Sequence, residues 1–158
     1  MGARQDLAVL AGASLAAAAI VAVARAARPL DHGVWLVAYL FLVGFLAQFL
    51  LGRGQVALLT ETGRPMPPRG TRAIQALLWN AGVVLVPTGV LLDARLFIVI
   101  GAATLLLALG SFYRSVADAL APPAGAPARL RRTYVALLSL MALSTLVGTA
   151  LGWDHAWI

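Results

Sequence analysis

The chain has 158 residues, 61% hydrophobic and 11% charged, where a soluble domain carries about 25% charged residues, and its mean hydropathy is +0.90. All twelve basic residues are arginine and cysteine is absent, which excludes Schiff-base lysines, a P-loop lysine, disulfides, thiolate catalysis, Cys-ligated zinc and iron–sulfur clusters. The net charge of +6 fits arginines that flank membrane spans and meet anionic headgroups, so membrane lipids, not nucleic acid, are the expected partner.

The first apolar run, 7–25, is rich in alanine and closes at Arg25 and Arg28. Its basic start and the Ala-x-Ala at Ala22 and Ala24 are marks of a cleavable signal, but its length and the spans that follow favour an uncleaved first helix. Gly12 and Ala16 belong to a small-residue face that lets a neighbouring helix approach closely. Pro29 ends this segment.

The second run, 33–52, is the clearest. Gly33 to Gly52 is 20 residues without a formal charge, and at about 1.5 Å per residue it spans roughly the 30 Å of a bilayer's hydrocarbon core. Trp35 and Tyr39 suit the interface, while Phe41, Phe45 and Phe49 recur every fourth residue with Gln48 beside them. A glutamine amide in lipid needs a hydrogen-bond partner, so Gln48 is expected to face another helix.

Residues 53–72 turn polar, with Gly63, Pro65, Pro67, Pro68 and Gly70 as punctuation, and are read as a loop with one helical turn around Val56 to Leu59. The third run, 73–92, contains Pro87, which frees the Val83 carbonyl, and Asn80, seven residues earlier on the same helical face. Asp93-Ala94-Arg95 is a tight turn into the fourth run, 96–113, making a helical hairpin. A Pro- and Ala-rich linker, 114–132, leads to the fifth run, 133–152, where Ser144, Gly148 and Gly152 line up as a helix-contact stripe. The chain closes on Trp153-Asp154-His155-Ala156-Trp157-Ile158, an aromatic interfacial tail.

The fold class is therefore all-α: a single-domain polytopic integral membrane protein with five transmembrane helices. Grouping the N-terminus with loops 53–72 and 114–132 collects nine arginines against three on the other side, Arg25, Arg28 and Arg95. That places the N-terminus and both long loops in the cytoplasm and the C-terminus outside. The Lys-free, Ala- and Arg-rich composition points to a bacterium, and hence to the inner (cytoplasmic) membrane.

No catalytic or phosphate motif stands out, and by this reading the spans hold no ionisable side chain of the kind that marks proton relays and membrane active sites. The leading expectation is a non-enzymatic accessory or assembly subunit of a larger membrane complex, meeting partner subunits or a second copy through Gly12, Ala16, Ser144, Gly148 and Gly152. Two other readings stand beside it. Gln48, Asn80, Pro87, Phe41 and Phe45 would line a pocket for an apolar or uncharged small molecule. His32 and His155, with Asp31 and Asp154, would hold a metal or a haem at the outer surface, although short polar residues at helix ends also act simply as caps.

Overall fold

The structure is a computed structural model; it describes residues 33–121 and 127–153, together with Ala16 and Ile20, both of them helical. Among the described residues every regular element is a helix. The chain enters as α1 (Gly33–Tyr39), widens into a π-helical segment (Leu40–Ala47) and runs on without a break as α2 (Gln48–Glu61). Then come α3 (Arg69–Leu91), α4 (Arg95–Leu120) and α5 (Ala128–Trp153). Among the described residues four stretches are long and apolar enough to cross a membrane: Val34–Glu61, Arg69–Leu91, Arg95–Leu120 and Ala128–Ala150. The expected first span, 7–25, lies outside the described residues apart from Ala16 and Ile20.

The helices continue well past the apolar runs. Residues 53–61, expected as loop, extend α2 because they keep a buried face of Gln55, Leu58 and Leu59 while Arg53, Thr60 and Glu61 point outward. An amphipathic turn of this kind stays helical even where its average polarity rises. The helix stops where the backbone is instructed to stop. The Thr62 hydroxyl donates to the Leu58 carbonyl at 2.8 Å, Gly63 takes the left-handed conformation at φ 64°, and the Arg64 amide closes on the Leu59 carbonyl at 2.9 Å. α4 likewise passes Tyr113 and buries Val116 and Ala119 before Ala121, extended at ψ 137°, meets Pro122. Between α3 and α4, Asp93 is left-handed at φ 48° and the Ala94 amide reaches back to the Gly89 carbonyl at 2.8 Å.

α3 and α4 form the tight hairpin expected from that short turn. Its closeness depends on glycine: a Cβ on Gly82 would sit 2.8 Å from the Gly101 carbonyl oxygen, and one on Gly101 would sit 2.8 Å from the Val86 backbone nitrogen. Pro87 is buried within α3 and does not end it. α2 and α5 pack beside this hairpin, around a core in which Trp79 meets Phe112 edge-on at 6.4 Å between ring centres, with Leu51, Leu58, Val83, Leu105 and Val116. Beyond the end of α2, Arg64 pairs with Asp118 in the last turns of α4 at 3.3 Å.

Candidate functional site

The core is polar in one place. Gln48 and Gln55 stand two turns apart on α2, and with Gln75 of α3 they are the fully buried amide side chains among the described residues, each at most 2% exposed. Seven residues bring a helix back to nearly the same face, which is why both glutamines of α2 point inward. Three helices meet at Ser115 of α4. Its hydroxyl accepts from Gln55 Nε2 at 2.5 Å and from Gln75 Nε2 at 3.2 Å, and donates to the Phe112 carbonyl at 2.7 Å. Gln75 Nε2 also reaches the Ser111 carbonyl at 3.1 Å. With its proton committed and both lone pairs used, Ser115 is a structural knot and no nucleophile.

Higher along the same helix the polar groups are less well served. Both amide atoms of Gln48 and the Tyr39 hydroxyl are buried without a hydrogen-bond partner among the described residues, as is Gln75 Oε1 beside the Ser115 knot. Gln48 lies between two points where neighbouring helices grip the main chain. Trp79 Nε1 donates to the Val43 carbonyl at 3.1 Å, and the Tyr134 hydroxyl donates to the Leu51 carbonyl at 3.4 Å. The π segment contributes to this arrangement: the Gln48 backbone N–H turns to the Phe45 carbonyl, and the Val43 carbonyl is met from outside the helix. π turns inside α-helices frequently occur at functional sites. An amide offers two donors and two acceptors, so what suits Gln48 is water or a neutral guest with a hydroxyl, carbonyl or amide.

A cleft of about 650 Å³ opens behind the Ser115 knot, on the flank of the bundle. One wall is the 65–68 segment with Thr71. The other is α4 from Leu106 through Gly110 to Arg114 and Ser115. Three prolines, Pro65, Pro67 and Pro68, stiffen the first wall.

The residues singled out from sequence fall in different places. Gln48 is buried in the core, but the hydrogen-bond partner expected for its amide is not found among the described residues. Asn80 donates to the Ala76 carbonyl of its own helix at 2.8 Å, and Pro87 is buried in the α3–α4 hairpin. Phe41, Phe45 and Phe49 form a ladder with ring centres 5.8 and 5.9 Å apart, capped by the Arg53 guanidinium 5.3 Å over Phe49, and Phe41 is exposed. Ser144 and Gly148 are exposed on α5, Gly152 lies in its last turn, and Ala16 is exposed. Gly12, Asp31, His32, Asp154 and His155 lie outside the described residues. Among the described residues no group of three His, Cys, Asp or Glu side chains converges to hold a metal. Sequence reasoning missed Gln55, Gln75 and Ser115; the seven-residue interval from Gln48 to Gln55 was the available signal.

No protein-family model, curated protein or solved structure matches this chain.

Proposed function

We propose that the chain is a non-enzymatic accessory or assembly subunit of a larger complex in the cytoplasmic membrane of a bacterium. The observation that supports this most directly is the outer face of α5. Ser144 and Gly148 are exposed there, a Cβ on Gly148 would meet nothing within 4 Å, and Leu140, Leu143 and Val147 flank them in the open. Small residues framed by branched apolar ones form the surface on which a second membrane helix packs closely. The orientation proposed with it, N-terminus and long loops in the cytoplasm, is supported by the arginines gathered in 53–72 and 114–132, which the positive-inside rule favours on that side.

The absence of cysteine makes the test clean. A Ser144→Cys variant treated with a short bifunctional crosslinker in native membranes should yield an adduct with another polypeptide or a second copy. Capture only within the chain, onto residues 7–25, would assign the stripe to internal packing and remove this reading.

A second reading, a binding protein or carrier for a small uncharged molecule, is favoured by the unpartnered Gln48 amide and Tyr39 hydroxyl. A polar guest seated at that level would restore the missing hydrogen bonds.

A further inference from the structure

We propose that the cleft between the 65–68 segment and α4 holds one anionic phospholipid, with its phosphate at Arg114 and an acyl chain along Leu106 and Leu107. The inference rests on the chain being a membrane protein and is independent of any partner subunit.

The cleft's volume of about 650 Å³ lies within the roughly 300–1,000 Å³ typical of ligand pockets. Its lining is divided by chemistry. Toward the arginine-rich end lie Thr71, Ser111 and Arg114; toward the middle of α4 lie Leu106 and Leu107, the latter 61% exposed. Between the two halves is Gly110, where an added Cβ would meet nothing within 4 Å. The wall is thus a furrow that runs from a cationic, hydroxyl-bearing end onto a face that a bilayer covers with acyl chains, which is the layout of an amphiphile.

Charge selects the kind of amphiphile. Among the described residues Arg114 makes no hydrogen bond or ion pair, and neither the Thr71 nor the Ser111 hydroxyl is engaged. The nearest acid in sequence, Asp118, is paired with Arg64. Arg114 is the charged side chain that lines the cleft, with no carboxylate among its walls. A phosphate diester supplies acceptors that guanidinium and hydroxyl groups bind, and an anionic headgroup adds the net charge that a zwitterionic one lacks. Ser115 also lines the cleft, but its hydrogen-bonding capacity is spent on Gln55, Gln75 and Phe112, leaving Thr71, Ser111 and Arg114 as the polar groups open to a guest.

The test is native mass spectrometry of the full chain in mild detergent containing equal amounts of phosphatidylglycerol and phosphatidylcholine. The expected result is one retained phosphatidylglycerol per chain, with a preference over phosphatidylcholine that falls by about fivefold in Arg114→Gln, as one lost arginine contact predicts. Gly110→Leu should empty the cleft by filling the furrow, with its circular dichroism and melting temperature unchanged, and Arg132→Gln, outside the cleft, should bind as the parent does. Equal retention of the two lipids, or parental binding by both cleft variants, would overturn the proposal. Displacement of the lipid by millimolar inorganic phosphate alone would mark the site as one for free phosphate, and loss of binding only when a dimer peak appears would assign the groove to a second copy.

Discussion

The Trp79 indole N–H donates to the Val43 carbonyl at 3.1 Å, tying α3 to the middle of the π segment. Trp79→Phe keeps an aromatic ring beside Phe112 but removes the donor. The Val43 carbonyl then loses this donor, at a cost of about 0.5–1.5 kcal/mol. Reversible unfolding in mixed micelles should show that loss; a variant as stable as the parent would mean the contact contributes nothing.

Gln48 and Gln75 are equally buried yet should respond in opposite ways. Gln75→Leu removes two hydrogen bonds and leaves the Ser111 carbonyl with one donor fewer, costing about 1–2 kcal/mol. Gln48→Leu removes an amide with no partner among the described residues, so it should be neutral or stabilise by about 1 kcal/mol. If Gln48→Leu instead weakens the fold in membranes, the amide is occupied there, by water or by the neutral guest of the second reading.

Two glycines separate packing within the bundle from packing outside it. Gly82→Ala pushes a methyl group against Leu105 and the Gly101 carbonyl, so the α3–α4 hairpin must open and the melting temperature should fall by several degrees. Gly148→Ala has open space around it and should leave the melting temperature of the isolated chain unchanged. The same change should reduce the Ser144→Cys crosslink to a partner, and an undiminished crosslink would show that close approach at Gly148 is not needed.

The Arg64–Asp118 pair should matter little. Its side chains are 42% and 84% exposed, and exposed pairs are worth about 0–1 kcal/mol. Arg64→Ala should therefore shift unfolding by no more than about 0.5 kcal/mol, and less still in high salt.

The helical character and the membrane-crossing lengths were legible because long uncharged runs leave few alternatives in lipid. Helix ends were harder to read. Gly52, Arg53 and Gly54 look like punctuation, yet Gly54 is where the Tyr134 ring of α5 lies against α2, so the glycine marks a helix crossing and not a stop. Ser115 was placed in a linker for the same reason: hydropathy falls at Arg114 while the buried face of α4 continues through Val116 and Ala119. The polar knot at Ser115 joins residues separated by 60 and 40 positions, and a single sequence does not pair such positions without knowing which helices are neighbours. The π segment left no trace in the residue pattern of Leu40–Ala47, which is apolar at every position except for the backbone of Gly44.

That segment also governs how the chain tolerates a change in length. An α-helix turns by about 100° per residue, and a π turn accommodates an extra residue relative to that progression. Deleting one residue between Leu40 and Ala47 can therefore be absorbed by tightening the turn, with Gln48, Leu51, Gln55 and Leu58 still facing the core. The same deletion a few residues later has no slack to draw on and rotates everything beyond it by more than a quarter turn. The widened turn is a splice point, and the Trp79 contact to the Val43 carbonyl is what holds the extra residue in place.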